Sequence, residues 1–408
     1  MRTCRLSLYL IGAVLALPCR VLAAPPTPAA TGATLQQAVE SAWRRAPAAR
    51  TLEARQDEVL AARDNARSWL ASNPTLGLSQ RTDRGAPERD QRESEISLAS
   101  SIWLPSQKSA RAALAARSTD ELTAHTEATR LAVAGLVRNR MWEAAAAQVR
   151  LEEKQDHLHH LEGLRDEVQR RVKAGDLARS DGLLAQQEVL AARIEVTNAR
   201  TAAAEALARY RVTTGLSILP ELEPEPLHAA AASSNPRLAA SRASEQRARA
   251  ALRLAAATRS APPTIALSVR REDERLLREP VNSIGVALQI PLGTAARNRT
   301  VEAQAHTVIA TAAAEAAEVQ ANLDADVEIA KERLANARTA LETATARARA
   351  LHEHTALFEK AFRAGERGLT ELLRSRALTH EADVGVAQQK VALGLAHAQF
   401  NQALGILP

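Results

Sequence analysis

Two histidine-rich segments carry the residue types that most readily bind a metal ion. They are HLHH at 157–160 and HEH at 352–354. On a helix, side chains two positions apart do not face each other, whereas side chains three or four apart do, so only His157 or Asp156 can share an ion with His160. No third ligand stands at helical spacing. The sequence therefore favours solvent-exposed histidines and predicts no metal site.

Motifs for enzymatic catalysis are also missing from the sequence. There is no HExxH zinc motif, no GxSxG nucleophile motif and no glycine-rich loop that could cradle a phosphate. Acidic residues are spread along the chain, and no pair of them stands out as a general acid and base. We therefore expect neither an enzyme nor a cofactor.

A short motif with alanine and glycine near its start occurs twice. It reads VKAGDLARSDGLL at 172–184 and FRAGERGLTELLR at 362–374, 190 positions later. Glycine adopts left-handed backbone angles without a steric penalty, and it commonly ends helices where the chain reverses. The motif therefore predicts a sharp corner between two helices, after which Ser180 or Thr370 is expected to cap the next helix.

The two corners belong to a longer tandem repeat. Prolines and glycines recur at offsets of 189 or 190 positions in the pairs Pro47 and Pro236, Pro74 and Pro263, Gly175 and Gly365, and Gly215 and Gly405. We therefore expect two structural units, at 34–219 and 230–408, joined by a proline-rich linker at 220–229. Each unit is expected to begin with a helix that is broken at Pro47 or Pro236.

Each unit contains a predicted β-hairpin, at 75–104 and 264–290, where apolar residues alternate with small or polar ones. The apolar positions include Leu76, Leu78, Ile96, Leu98, Ile265, Leu267, Val286 and Leu288. This alternation is typical of the wall of a transmembrane β-barrel, whose apolar face contacts lipid. Four strands cannot enclose a pore, and open strand edges are not tolerated in lipid, so other copies of the chain would have to complete the barrel.

Trp69 and Trp103 flank the first hairpin at the end that adjoins the helices. An interfacial belt of aromatic residues is expected at that level of a membrane barrel. Because such short alternating runs are weak signals on their own, a soluble β-sandwich with a coiled-coil arm remains the alternative interpretation.

A very long helix is predicted after each hairpin. Apolar residues over 323–362 keep an unbroken 4-3 spacing, which is the seam of a coiled coil. These helices would have about 67–69 residues and a length of about 100 Å. The returning helices, at 178–215 and 368–407, are shorter, and helices at 48–71 and 237–259 stacked on them would complete a second column of equal length.

The N-terminus carries an expected targeting segment. Two arginines precede the apolar run at 6–17, and 21–23 offers a small-residue cleavage site, so 1–23 is predicted to be a signal peptide. Both cysteines, Cys4 and Cys19, lie at or before this site, so the mature chain is expected to lack disulfides and cysteine-ligated metals. Lipidation of Cys19 is the alternative, although the proline before it fits that signal badly.

The chain is basic, with 53 lysines and arginines against 47 acidic residues and a net charge of +6. Acidic and basic residues alternate along the predicted helices instead of clustering, as in ERLANARTALETATARARA at 332–350. Such alternation is typical of solvated helix faces, so no nucleic-acid partner is expected.

The signal peptide, the tandem repeat, the order of hairpin and long helix, and the AG…(S/T)(D/E) corners resemble those of TolC-type outer-membrane efflux proteins over essentially the whole mature chain. The resemblance implies a mainly α-helical fold with a small β part. It implies a homotrimer whose twelve strands form one barrel in the outer membrane and whose twelve helical columns form a hollow cylinder across the periplasm. It also implies a passive exit duct whose tips meet a periplasmic adaptor protein and an inner-membrane pump of the RND type.

The resemblance assigns roles to residues at both corners. The tips that would contact the adaptor are Ala174, Gly175, Ala364 and Gly365. In the family, acidic residues just past the second corner ring the constriction of the pore. The first of these positions matches Glu371, its counterpart in the first unit is Asp181, and the second position holds Arg374, so a doubly acidic ring is not implied. An acid in the first turn of a helix is also favoured for stability alone, and both interpretations stay open.

The segment IPLGTAARNR at 290–299 resembles what the heavy-metal (CzcC/CusC-like) branch of the family carries after its fourth strand. It favours heavy-metal cations as the cargo. Small organic toxicants or drugs are the alternative within the family. A structural or adhesive coiled-coil surface protein that conducts nothing is the alternative from another class.

Overall fold

The structure, a computed structural model, describes residues 34–82, 91–228, 234–274 and 279–408. The predicted signal peptide and both cysteines lie outside these ranges. The elements are α1 (Leu35–Arg45), α2 (Pro47–Arg67), β1 (Thr75–Thr82), β2 (Gln91–Ser101), α3 (Pro105–Ala174), α4 (Arg179–Thr214), α5 (Pro236–Ala257), β3 (Thr264–Glu274), β4 (Val281–Gln289), α6 (Ala295–Arg363) and α7 (Leu369–Ala403). Among the described helices, none combines the length and the apolar composition that crossing a membrane requires.

Helices α3 and α6 are the predicted long helices, with 70 and 69 residues. At 1.5 Å per residue, each is about 105 Å long. Proline is the first residue of α3, a position where its missing N–H leaves no helical hydrogen bond unmade. The chain returns in α4 and α7, which have 36 and 35 residues and are a few residues shorter than the sequence suggested.

The short helices continue the returning helices end to end. At the end of α4, the carbonyl oxygen of Thr214 accepts a hydrogen bond of 2.6 Å from the hydroxyl of Ser41 in α1. At the end of α7, the carbonyl oxygen of Ala403 accepts one of 2.9 Å from the side-chain amide of Asn235, which caps α5. α5 and α7 both pack against α3 and against α6. A second, segmented column therefore runs beside each long helix.

The segment directly before Pro236 lies mostly outside the described residues, so the helix expected there from 230 stays a prediction. Before Pro47, α1 ends at a break formed by Ala46. Pro236 is the first residue of α5, and the described residues 215–228 contain no helix. Three prolines between 220 and 226 explain why this stretch is not helical, because each lacks an N–H and disfavours helical angles in the residue before it.

The four strands form one antiparallel sheet in the order β1-β2-β3-β4, so the two hairpins are joined through β2 and β3. One row across the sheet consists of Leu76, Leu98, Leu267 and Val286. β2 begins at Gln91, four residues before the alternation in the sequence, because its polar first four residues still pair with β3. Within the part of the chain that the structure describes, β1 and β4 each pair on one side only, so the sheet of a single chain has two open edges there.

The core is narrow and rich in alanine. Its largest cluster joins α3, α4 and α7 and includes Met141, Trp142, Tyr210 and Ala398. The ring of Trp142 lies so close to Gly394 that a Cβ at this glycine would be 2.0 Å from it. Small residues therefore allow α7 to approach α3 closely.

Candidate functional site

All eight apolar positions predicted to face lipid are exposed in the chain. Their exposed fractions range from 42% for Ile265 to 75% for Val286. In water such rows are unfavourable by about 25 cal/mol for each Å² of apolar surface. The strands have 8, 11, 11 and 9 residues, close to the roughly 9–11 that span a bilayer. This face is therefore suited to an apolar environment.

The opposite face of the sheet is small and polar. Gly77, Ser97, Ser268 and Gly285 form one row across the four strands. A Cβ at Gly77 would lie 2.6 Å from the hydroxyl oxygen of Ser97, and one at Gly285 would lie 2.8 Å from that of Ser268. The two glycines thus leave room for the serine hydroxyls, and this row carries no large side chain.

Trp69 and Trp103 lie together where the sheet meets α3. The backbone N–H of Trp103 donates a hydrogen bond of 2.9 Å to the carbonyl oxygen of Trp69. The ammonium of Lys108 lies 3.7 Å from the centre of the Trp69 ring, and the guanidinium of Arg111 lies 4.8 Å from that of Trp103. Both are cation–π contacts. Aromatic rings beside long cationic side chains at the end of an apolar strand are typical of a membrane surface.

Both corners end a long helix in the same way. Gly175 and Gly365 have positive φ angles of 86° and 77°. In each corner the glycine N–H bonds to the carbonyl oxygen three residues back at 3.1 Å, and the next N–H bonds to the carbonyl oxygen five residues back at 2.9 Å. This is the Schellman motif, in which a left-handed residue closes a helix. A Cβ at either glycine would meet no atom beyond its chain neighbours within 4 Å, so the backbone angle alone requires glycine.

An apolar cluster holds the two corners together. It consists of Leu164, Val168 and Ala185 near the first corner and Phe362, Leu369 and Leu372 near the second. The guanidinium of Arg171 lies 4.9 Å from the centre of the Phe362 ring and adds a cation–π contact between them. Ala174 and Ala364, beside the two glycines, are exposed. The corners therefore lie side by side with their alanines at the surface.

The expected capping of the returning helices is wrong. α4 and α7 are capped at Ala178 and Gly368, so Ser180 and Thr370 are the second residues of these helices. In the first corner the carboxylate of Asp181 accepts a hydrogen bond of 3.2 Å from the N–H of Ala178. An acid at the third helical position can reach back to the cap in this way, and the helix can then start earlier.

The acid of the second corner has a different partner. Glu371 forms an ion pair of 3.3 Å with Arg367, and about half of each side chain is exposed. Arg374, almost one turn further along α7, is also exposed. The three candidate constriction residues thus lie in the first turns after the corners, at the surface of the single chain; they are Asp181, Glu371 and Arg374.

One histidine of the two histidine-rich segments, His157, is less exposed than expected, whereas His352 and His354 are exposed as expected. The rings of His157 in α3 and His380 in α7 stack with their centres 3.9 Å apart and their planes 9° apart. Burial lowers the pKa of His157 to about 4 and also lowers the pKa of His380. The expectation of solvent exposure is therefore wrong for His157 and correct for His159 and His160. His380 was missed because only the packing of α7 on α3 brings it to the histidine segment.

No family model matches the sequence, and no curated protein matches it. Solved structures do match the fold. A membrane protein from Pseudomonas aeruginosa has a TM-score of 0.74 at 17% identity, covering 92% of this chain and 91% of that one. The CmeC outer membrane channel of Campylobacter jejuni has a TM-score of 0.73 at 12% identity, covering 91% of this chain and 85% of that one. CusC, a protein that forms a transmembrane channel, has a TM-score of 0.72 at 14% identity, covering 91% of this chain and 92% of that one.

The similarity extends over the helices and the sheet alike, because each match spans at least 91% of this chain. The similarity to CusC is no greater than the similarity to the other two, so it singles out no branch of these channels. Long paired helices joined to a small antiparallel sheet are common to all of them. The chain therefore has the TolC-like fold of outer-membrane channels.

Proposed function

We propose that this chain is the protomer of an outer-membrane exit duct. The observation that carries the proposal is the exposed apolar face of the sheet, with rows such as Leu76, Leu98, Leu267 and Val286 across all four strands. An apolar face backed by a face of small polar residues matches a barrel wall between lipid and water. The tryptophans at the helix end of the sheet would lie at the membrane surface.

The open edges of β1 and β4 require further copies of the chain. In lipid each unpaired backbone N–H or C=O group costs several kcal/mol, so an open four-stranded sheet is not stable there. Three copies, each joining its β1 to the β4 of the next, would close a barrel of twelve strands that is wide enough for a lumen. The row of Gly77, Ser97, Ser268 and Gly285 would line it.

The helices would extend the duct across the periplasm. α3 and α6, at about 105 Å, are several times longer than the hydrocarbon core of a bilayer, which is about 30 Å thick. At their far ends the adaptor-contacting tips would be Ala174, Gly175, Ala364 and Gly365. Because alanine and glycine have almost no side chain, the helical turn of a periplasmic adaptor could approach closely. An inner-membrane pump of the RND type would act through that adaptor.

The pore would be narrowest just past the corners. Glu371 and Asp181 are the candidate acids at this constriction, and Arg374 would moderate their charge. The ion pair between Glu371 and Arg367 supports the competing interpretation, in which this acid acts only within its own helix. Ion selectivity separates the two roles.

The N-terminal segment and the tandem repeat fit an exported, duplicated protein. The segment 1–23 would act as a signal peptide that directs export of the chain and is then removed. A tandem duplication would account for the units at 34–219 and 230–408 and for the linker at 220–229 between them. Mass spectrometry of the N-terminus of the mature protein tests the cleavage site.

We propose heavy-metal cations as the cargo, on the resemblance of 290–299 to the heavy-metal branch. Cells that produce the chain with its adaptor and pump should then survive raised Zn²⁺, Co²⁺ or Ni²⁺ better than cells without the chain. A gain in survival against organic toxicants alone would replace the metal cargo with the alternative.

Reconstitution tests the duct itself. The mature chain should sediment as a trimer in detergent and should pass ions across a planar lipid bilayer. A soluble monomer that needs no detergent and carries no current would overturn the duct. It would favour a structural or adhesive coiled-coil protein instead.

A further inference from the structure

Lysine and arginine residues are concentrated around the two corners. The segments 170–179 and 360–374 together hold eight bases and three acids in 25 residues, whereas the whole sequence holds 53 bases and 47 acids. The apolar cluster of Leu164 and Phe362 and the contact of Arg171 with the Phe362 ring hold the two corners side by side. The eight bases therefore belong to one surface, at the end of the long helices remote from the sheet. We call this surface the basic collar, because its residues flank the exposed alanines and glycines of the corners.

Most of the basic collar has no acidic partner within the chain. Arg171, Arg363 and Arg367 each form an ion pair with an acid four positions away, at 3.1, 3.5 and 3.3 Å. Among the same described residues, the exposed acids Asp176 and Glu366 form no ion pair. The other five bases of the collar are also exposed, and they form no ion pair with any residue that the structure describes. They are Arg170, Lys173, Arg179, Lys360 and Arg374. A surplus of positive charge therefore faces the solvent at the corners.

The stability of the helices explains only part of this charge. Lys173 lies in the last turn of α3 and Lys360 in the last turn of α6, where free carbonyl groups favour cations. Arg179, in contrast, is the first residue of α4, where free N–H groups carry partial positive charge and disfavour a cation. Asp181, the acid of that turn, accepts a hydrogen bond from the N–H of Ala178 and forms no ion pair with Arg179. Arg179 therefore lowers the stability of its own helix, and its charge is free to act on another molecule.

We propose that the basic collar binds an acidic docking surface, namely a helical turn of the periplasmic adaptor protein that carries aspartate and glutamate side chains. Arginine suits this role, because its guanidinium can donate two parallel hydrogen bonds to one carboxylate. Ala174 and Ala364 are exposed between the cations and leave room for the backbone of the adaptor.

An anionic lipid surface is the other partner that would attract a basic collar. Binding to lipid is strengthened by apolar side chains that enter the membrane. Within 170–179 and 360–374, which the structure describes in full, no large apolar side chain is exposed, and Phe362 and Leu369 are buried. The composition of the collar therefore favours an acidic protein over a membrane.

The collar deepens the proposed function, because it names the chemistry of the partner at the corners, and only the identity of that partner as an adaptor rests on the duct. The charge preference of the collar is measured on the purified protein without transport. A conducting trimer that does not prefer an acidic hairpin would leave the duct intact and remove the acidic partner. A protein that prefers an acidic hairpin and carries no current would do the reverse.

Binding to designed helical hairpins tests the proposal on the purified mature protein, held in nanodiscs of neutral lipid, or free in buffer if it needs no detergent. The hairpins share one sequence and differ only beside their turn, where they carry glutamate, glutamine or lysine. On a biosensor surface, the glutamate hairpin should bind about tenfold more tightly than the glutamine hairpin or better, and the lysine hairpin should not bind. Raising NaCl from about 0.1 to about 1 M shortens the Debye length from about 10 to about 3 Å, so it should abolish this preference.

Substitutions in α4 locate the binding surface. Arg179→Glu should weaken binding of the glutamate hairpin about tenfold or more, and it should not lower the stability of the protein, because an acid is favoured at the start of a helix. The matched control is Arg200→Glu, which reverses another exposed arginine of α4, about 30 Å further along the helix, and should bind like the wild type. Circular dichroism and size-exclusion profiles establish that each variant is folded.

Three results would overturn the acidic partner. The first is equal affinity of the wild type for the glutamate and the glutamine hairpin. The second is that the double variant Lys173→Glu, Arg179→Glu binds the glutamate hairpin as tightly as Arg200→Glu does, because the attraction would then not come from the collar. The third is tighter binding to vesicles of phosphatidylglycerol than to the glutamate hairpin, which would assign the collar to an anionic membrane surface instead.

Discussion

Arg138 of α3 and Glu225 of the segment between α4 and α5 form a buried, two-pronged ion pair. Nε and Nη2 of Arg138 donate hydrogen bonds of 2.9 and 2.6 Å to the two carboxylate oxygens of Glu225. Only 2% of the arginine side chain and 11% of the glutamate side chain are exposed. Nη1 of Arg138 also donates to Gln402 and to the carbonyl oxygen of Ile406. One guanidinium thus ties the linker and the C-terminus of the chain to α3.

Breaking this pair should destabilise the fold strongly. Glu225→Ala would leave a guanidinium buried without its counter-charge, and we expect the free energy of unfolding to fall by about 3–5 kcal/mol. The control is Glu162→Ala, which removes the partly exposed partner of Arg193 at 2.7 Å and should lower it by about 1 kcal/mol at most. Denaturant unfolding in detergent measures both. Equal losses would mean that the buried pair contributes no more than a surface pair.

Val286 and Ala287 are neighbours on opposite faces of β4 and should respond differently to arginine. Val286 is 75% exposed on the apolar face, so Val286→Arg would place a charge in lipid and cost about 2–4 kcal/mol near the bilayer midplane. Ala287→Arg would point into the lumen, and it should keep the trimer and change its conductance. Leu267→Arg and Ser268→Arg form a second such pair in β3. Denaturant unfolding measures the loss of stability, and single-channel recordings measure the change of conductance. Arginine that is tolerated equally well on the two faces would contradict the barrel.

The sheet and the corners could be predicted because their signals are local. Alternation of neighbouring side chains defines the face of a strand, and a glycine at the end of a long helical run, such as Gly175, indicates a left-handed residue that closes the helix. Arg138 and Glu225 are 87 residues apart, and nothing near either of them in the sequence indicates the other. His157 likewise meets His380 only because α7 packs on α3. Apart from the caps of α4 and α7, which are two residues earlier than expected, the parts that sequence reasoning missed are therefore contacts between elements, which depend on how the helices are arranged.

Ala174→Trp and Ala364→Trp should separate folding from docking at the corners. Both alanines are exposed beside a glycine that closes its helix, so an indole can project into solvent while the turn is kept. We expect trimers of normal stability and conductance, but loss of efflux resistance and of cross-linking to the adaptor in cells. Gly365→Ala is the contrasting change, because at a φ of 77° it should lower stability by about 1 kcal/mol. Retained resistance in the double tryptophan variant would leave the corners as turns alone.

Glu371→Lys tests whether the acid after the second corner lines the pore. If it does, the substitution places positive charge at the constriction, and the ratio of cation to anion permeability should fall in single-channel recordings with the trimer intact. Asp181→Lys should lower this ratio less, because the pore ring of the resembled family comes from the second corner. Loss of the ion pair with Arg367 is local, so a change in stability with unaltered selectivity would favour the role of Glu371 in its own helix.

The stacked histidines should make stability depend on pH in one direction. Burial, then the neighbouring His380 and Lys154, lowers the pKa of His157 from 6.5 to about 4, so the unfolded chain takes up this proton before the folded chain does. Stability from this source is therefore complete above pH 7 and is lost as the pH falls from about 6.5 to about 4. His157 and His380 lie in a groove between α3, α6 and α7. The other charged or titratable groups that line this groove are Glu153, Asp156, His160, His352, Glu359, Arg376 and Asp383.

His157→Phe isolates this contribution, because phenylalanine can keep the stack on His380 and cannot take up a proton. The difference in unfolding free energy between the wild type and this variant should be constant above pH 7. It should move in favour of the variant between about pH 6.5 and 4, where the wild type must bury an imidazole that its unfolded chain would protonate. The control is His306→Gln, which removes an exposed histidine of α6 outside the groove. Its unfolding free energy should change with pH as that of the wild type does. A difference that stays the same from pH 7.5 to 4 would mean that the stacked ring titrates like an exposed histidine.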